Sequence, residues 1–155
     1  MKALILLAPG FEELEAVTII DLLRRADIEV VLASTADLWV ESTRQVAIKA
    51  DISIHQVNSL EFNLVALPGG LPGTTHLKEN PKVLQILKEF HAHKKWIAAI
   101  CAAPLVLNVA DLLKDKNFTC YPGCQEEIKA GNYENQTVVK HDNIITSQGP
   151  ATAIS

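Results

Sequence analysis

The sequence has no excess of positive charge: 14 Lys and Arg stand against 18 Asp and Glu, a formal net charge of −4. Without a basic stripe, nucleic acid and anionic membrane surfaces are excluded as expected partners. Cysteine is scarce and odd in number, at three. That count argues against a disulfide framework and suits a reducing compartment, in which any one of the three could be a reactive thiol. Long apolar runs are missing as well. Met1-Lys2 leads into only six apolar residues before Pro9 and Gly10, too few for a signal-peptide core or a membrane span. The expected location is therefore the cytoplasm, with no membrane partner. No repeat, low-complexity tract or linker interrupts the chain, so 155 residues at 48% hydrophobic composition read as one domain over 1–155.

What is present is alternation. "KALILLAPG" reads as a strand ending in a Pro-Gly turn, and "EELEAVTIIDLLRRAD" as a helix with Leu14, Val17, Ile20, Leu22 and Leu23 mostly on one face. "IEVVLAST" is a second strand, "RQVAIKAD" a third in a hairpin-like excursion, and "NLVALPGG" a buried strand running into a Pro-Gly-Gly loop. "NPKVLQILKEFHAHKK" is a helix whose last turn carries Lys and His, as its dipole favours. After it come the strand "WIAAI", a helix from Pro104, the strand "NFTCYP", and a hairpin of "QTVVKH" and "NIITSQ" around Asp142-Asn143. Strands alternating with helices predict a mainly parallel sheet covered on both faces, a flavodoxin-like three-layer α/β sandwich.

In such sheets ligands bind at the carboxyl ends of the strands, which directs attention to the loops after Ala8, Leu67 and Ile100. Cys101 ends the third of these strands, and Pro104 suits the first turn of a helix, so the chain must turn sharply through the cysteine. Sharp strand-to-helix elbows present nucleophiles in other α/β enzymes. A helix N-terminus lowers a thiol's pKa, so Cys101 is expected to be acidic. In the first loop, Glu12 and Glu13 read as ordinary dipole compensation. Glu15 differs: it falls on the side of the helix with Ile19 and Leu22, the side expected to meet the sheet, where a carboxyl needs a partner. A carboxyl within reach of a thiolate stays protonated and donates to it, so the pair would share one proton. Gly69 and Gly70 can bring backbone N–H groups to a bound oxyanion together with the N–H of Ala102, although an isolated Gly-Gly pair reads equally as a plain turn.

"APGFEELEAVTIIDLLRRA", "VALPGG", "AAICAAP" and "TSQGPATAI", in this order and at these spacings, resemble the ThiJ/PfpI family, and within it the parkinsonism-associated deglycase branch and the bacterial YajL proteins. The resemblance runs from end to end. It implies a flavodoxin-like homodimer with a reactive cysteine on a nucleophile elbow, mapping to Cys101, and a protonated glutamate against the sulfur, mapping to Glu15. It also implies that Arg25 and Arg44 help line the pocket or the dimer contact. Protease-like relatives follow the cysteine with histidine. This chain has Ala102, so peptidase activity is not expected. Where some members of the branch carry a histidine before a proline, the chain has Tyr121, a further pocket residue, and the Cys-His pairing of cysteine hydrolases is missing. By the same resemblance the chain lacks a C-terminal helix, since "GPATAIS" stops after one turn.

No metal and no cofactor is expected. His91 and His93 read as helix-end residues, and Cys120 with Cys124 gives two thiols where zinc takes about four ligands. Cys120 is expected to pack as a small apolar residue, with Cys124 in a loop. Two function classes remain open. One is a cofactor-free cysteine enzyme of glyoxalase or protein-deglycase type, acting on small aldehydes such as methylglyoxal or on glycated protein adducts. The other is an oxidative-stress sensor or chaperone that uses an oxidisable Cys101 without turnover.

Overall fold

The computed structural model describes residues 1–155. Its centre is a seven-stranded sheet in the order β10-β11-β7-β6-β1-β2-β5. The strands are β1 (Lys2–Leu7), β2 (Glu29–Ser34), β5 (Ile52–Ser53), β6 (Leu64–Leu67), β7 (Trp96–Ile100), β10 (Val138–His141) and β11 (Ile144–Ser147). All pairs are parallel except β10 with β11. The predicted architecture is therefore the one observed.

Burial on both faces explains why β1, β6 and β7 read as unbroken apolar runs. On β1, Leu4 and Leu6 point into one core while Ala3, Ile5 and Leu7 point into the other. The first core receives α2 (Gly73–Glu79), α3 (Pro81–Ala92) and α4 (Pro104–Val109). Helix α3 is well specified locally: Asn80 caps it by accepting from the N–H groups of Lys82 and Val83, Pro81 opens it, and Val83, Ile86, Leu87 and Phe90 bury one face. The second core is thinner, 11 buried residues against 28, because α1 (Glu13–Arg25) is the only long helix on that face. A hollow of about 160 Å³ beside α1 is lined by Ile19, Ala98, Val138 and Ile145.

Two local readings need correction, those of helix α1 and of the strand over "NFTCYP". Helix α1 buries Glu15, Ala16 and Ile20, whereas Leu14, Val17 and Leu22 are exposed. The sheet selects the small-residue side, because Ala16 lets the helix axis come close. The hairpin-like excursion after β2 is found as expected, an antiparallel hairpin of β3 (Trp39–Glu41) and β4 (Ala47–Lys49), followed by the edge strand β5. The strand expected over "NFTCYP" is only β8 (Asn117–Phe118), and it pairs with β9 (Asn132–Tyr133) outside the main sheet. No helix is long and apolar enough to cross a membrane.

Topology fixes where a ligand can enter. The chain steps from β1 to β2 in one direction, and β6 then lies on the other side of β1. The connections leaving β1 and β6 therefore diverge at their carboxyl ends, with β7 next in order, and a crevice opens at this switch point.

Candidate functional site

Three loops converge on the crevice. Cys101 follows β7 with φ at 63°, a left-handed backbone rare for a residue with a Cβ and sustained only where its surroundings enforce it. They do so here. The Cys101 N–H donates to the Ser147 carbonyl at 2.9 Å, its own carbonyl accepts from the Tyr121 N–H at 2.8 Å, and the Ala103 N–H closes the turn on Ile100 O at 3.0 Å. The sharp elbow expected from the sequence is thus held by segments far downstream.

Glu15 is fully buried in the first turn of α1. Its Oε2 accepts from the Gly69 N–H at 2.7 Å, while Oε1 is buried without a hydrogen-bond donor. Glu15 and Cys101 both lie against Gly69, and each perturbs the titration of the other. A buried carboxyl oxygen with no donor is a place where a proton can reside. Burial foremost, and to a lesser degree the charge of Glu12, raise the Glu15 carboxyl to about 7, against the lowering effects of the Gly69 and Cys101 hydrogen bonds.

The acidic thiol expected from the elbow is contradicted: the Cys101 thiol lies above its ordinary value, not below it. Burial pushes the Cys101 thiol up, as do the charge of an ionised Glu15 and the hydrogen bond to it, while the Ala102 N–H pulls it down. Helix α4 is only six residues long, so its dipole gives less support than a full helix would. The contributions from Glu15 reverse once its carboxyl is protonated, because a neutral carboxyl donates to a thiolate. The two groups therefore titrate as a unit that carries one negative charge above about pH 7.

Gly69 holds this pair together through its lack of a side chain. A Cβ there would lie 2.7 Å from the Cys101 Cβ, 2.9 Å from Glu15 Oε2 and 3.0 Å from the Ile100 carbonyl. Gly69→Ala should lower the free energy of unfolding by about 1–3 kcal/mol through overpacking. A urea-unfolding midpoint equal to that of the parent would show that the cradle has slack.

The sequence assigns the Gly69 N–H to an oxyanion, but the structure gives it to Glu15. Gly70, with φ at 93°, and Ala102, whose N–H faces the Cys101 sulfur, remain as backbone donors beside the crevice. The Tyr121 backbone is tied to Cys101, and its half-exposed ring packs beside Gly149. Arg25 is exposed on α1 and paired with Asp21 at 2.7 Å, so within one chain it does not line the crevice. Arg44 is exposed in the β3–β4 turn. Cys120 is fully buried in the larger core, and Cys124 opens a 3-10 turn, half-buried.

Sequence reading missed the supports around Glu15. Glu12 caps α1 through Leu14 N–H, its backbone N–H reaches Gly69 O at 2.9 Å, and Thr43 from the hairpin bridges the carboxylates of Glu12 and Glu13. Glutamate is not a usual N-cap, so no sequence signature marks that role of Glu12, and nothing local points to Thr43, which arrives from 31 residues away.

The DJ-1/PfpI family model matches residues 1–155. "Protein dj-1beta" of Drosophila melanogaster is 42% identical over 156 residues, covering 98% of this chain and 83% of that protein. "Glutathione-independent glyoxalase DJ-1" of Schizosaccharomyces pombe is 32% identical over 165 residues, covering 99% and 86%. The crystal structure of Drosophila melanogaster DJ-1beta superposes with a TM-score of 0.95 at 41% identity, covering 99% of this chain and 84% of that one. "Toxoplasma gondii DJ-1, oxidized" gives 0.94 at 39% identity, with coverage of 99% and 84%.

Proposed function

Because the chain belongs to the DJ-1/PfpI family, we propose that it is a cofactor-free, cysteine-dependent enzyme acting on small reactive aldehydes, of which a 2-oxoaldehyde such as methylglyoxal is the simplest test case. The observation that carries this reading is the buried Glu15 carboxyl, raised to about 7 and set against Cys101. A group that titrates near neutrality can both give and take a proton, and addition to a carbonyl needs both.

Each step has a residue. The Cys101 thiolate adds to the aldehyde carbon, and the new oxyanion takes the Glu15 proton while the N–H groups of Gly70 and Ala102 stabilise it. Glu15, now a carboxylate, moves the proton on the former aldehyde carbon to the neighbouring carbonyl carbon through an enediol. The product is a thioester isomeric with the adduct, and water hydrolyses it to a 2-hydroxy acid and free Cys101. No external oxidant or reductant is needed. The Schizosaccharomyces pombe relative named as a glutathione-independent glyoxalase supports the assignment, as does the absence of a histidine after Cys101, which leaves Glu15 as the proton carrier. Purified protein should turn methylglyoxal into lactate, and Cys101→Ser should not. Glycated protein adducts present the same carbonyl chemistry and are proposed as larger substrates.

The second reading, an oxidation sensor or chaperone, draws on one observation: Cys101 is a free thiol that is only partly buried, as an oxidisable cysteine must be. Full folding without any turnover of aldehydes would favour it.

We also propose a homodimer, on the exposed apolar stripe of α1. Leu14 and Val17 are 52% and 48% exposed beside Glu15, and Leu71 next to Gly70 is 64% exposed. An isologous contact over this surface would cover the crevice rim. Light scattering should give twice the chain mass at micromolar concentration; a monomer mass there would remove the proposal.

A further inference from the structure

The backbone brings the other two cysteines to the elbow. The Tyr121 N–H donates to the Cys101 carbonyl at 2.8 Å, and the Tyr121 carbonyl accepts from the Cys124 N–H at 3.0 Å. Two hydrogen bonds thus connect Cys101 to Cys124, although the whole of α4 and β8 lies between them in the chain. Cys120, just before the tether, is fully buried in the larger core, whereas Cys124 is half-buried and packs against that core from outside.

The turn that carries Cys124 is lightly held. Tyr121 to Cys124 has Pro122 and Gly123 at its centre, the order favoured in a type II turn, and Tyr121, Pro122 and Gly123 are all exposed. Gly123 has φ at 101°, and a Cβ there would meet no atom within 4 Å. Its own bonds are local, from its N–H to Gln125 Oε1 at 2.7 Å and from the Glu126 N–H to its carbonyl at 3.2 Å. Cα atoms joined by a disulfide stand about 4.4–6.8 Å apart. A swing of the exposed tip about its tether at Tyr121 is the movement that would close such a bond, and the tip has open space for it. Burial and then Glu15 raise the Cys101 thiol, and a charge on Cys124 adds to them; burial raises the Cys120 thiol, and Cys124 again adds. Cys124 is therefore within electrostatic range of both other sulfurs.

We propose that Cys124 is a resolving thiol for Cys101, capturing the sulfenic acid that a hydroperoxide forms there and closing a Cys101–Cys124 disulfide. This role requires the oxidisable Cys101 of the second reading and no turnover of aldehydes. The Cys101 thiolate attacks the terminal oxygen of the hydroperoxide, the O–O bond breaks, and the alkoxide leaves as an alcohol with the Glu15 proton. The Cys124 sulfur then attacks the Cys101 sulfur, the S–O bond breaks, and hydroxide leaves as water with the Cys124 proton. Two thiols are oxidised and one hydroperoxide is reduced. Without Cys124, a second hydroperoxide takes the sulfenic acid on to a sulfinate, which thiols do not reverse. Cys120 is not suited to the same task, because it sits inside the core on the tethered side of the turn.

Trypsin separates the two sulfurs, since Cys101 falls in Trp96–Lys114 and Cys124 in Asn117–Lys129. After a small molar excess of hydrogen peroxide at neutral pH, with the remaining thiols blocked, mass spectrometry should find these peptides joined with the loss of two hydrogens. Dithiothreitol should part them. Cys120→Ala should keep the link. Cys124→Ala should lose it and make the sulfinate, a gain of two oxygens on Cys101, the main product at the same dose; the same change in Cys124→Ser shows that the thiol and not the packing is responsible. A Cys101 sulfinate as abundant in the parent as in Cys124→Ala overturns the resolving role and leaves the sensor reading standing. A disulfide confined to Asn117–Lys129 also overturns it, since the bond then belongs to Cys120. Cys101 left unmodified in every protein overturns both.

Discussion

A Cys101→Ser protein is expected to lose methylglyoxal turnover by a factor on the order of 10⁴ or more, as removal of a covalent nucleophile does in other enzymes. Burial raises the thiol of residue 101, and the Ala102 N–H, joined by the proton of a neutral Glu15, is what opposes that. That help is enough for a thiol and far too little for a hydroxyl, whose proton is held much more tightly. The fold should be unaffected. The bonds that hold the elbow, from residue 101 N–H to Ser147 and from Tyr121 N–H to the residue 101 carbonyl, are made by the backbone. The thermal midpoint should therefore match the parent's, and lactate formation is the readout. Turnover retained in the serine variant would eliminate Cys101 as the nucleophile, and with it the reaction as proposed.

Glu15→Leu is the second large effect, a loss of about 10²- to 10⁴-fold in kcat, the range that a positioned acid–base group contributes. Leucine fills the buried site but neither donates to the sulfur nor carries a proton. Alkylation of Cys101 at pH 7 should slow as well, because burial then acts on the thiol without a donor to oppose it. Stability supplies an independent readout with a definite sign. The Glu15 pKa is raised from 4.5 to about 7 by folding, so the folded protein holds this proton more tightly than the unfolded chain. Its contribution is fully present below about pH 4.5 and is lost as the pH rises through 7, a fall on the order of 3 kcal/mol. In Glu15→Leu that decline across pH 4.5–7 should disappear, whatever constant offset of about 1–3 kcal/mol follows from the unpaired Gly69 N–H. Urea unfolding measured at pH 5, 6 and 7 decides it. An unchanged slope would mean that Glu15 is ionised in the folded state across this range, and the shared-proton site would fall.

The features visible in the sequence are those fixed by local pattern and by strand burial. Unbroken apolar runs identified β1, β6 and β7, and the short passage from Ile100 to Pro104 required an elbow at Cys101. Glu15 stood out because it occupied an α1 position facing the sheet. What failed depended on contacts made at a distance. The choice between the Leu14 side and the Ala16 side of α1 depends on how closely the helix approaches the sheet, and both sides are apolar enough to satisfy a periodicity test. The Gly69 N–H was assigned to an oxyanion because a glycine loop offers free donors, but the loop was already claimed by a carboxylate 54 residues earlier. Helix α2 was missed because its seven residues begin at a glycine and carry no side-chain cap.

The two tethers of the elbow have a consequence for biosynthesis. The partners of the Cys101 backbone are Tyr121 and Ser147, both later in the chain. Domains fold as they emerge, N-terminal parts first, at roughly 5–20 residues per second. Strands β1, β2, β6 and β7 can therefore pair while Cys101 still lacks both restraints, and its left-handed backbone, costly on its own, has nothing to enforce it until Ser147 has been synthesised and β11 has docked on β7. During those seconds Cys101 is an ordinary cysteine on an unfinished sheet. Its elbow geometry arises only when β11 docks on β7, after the strands before it have paired.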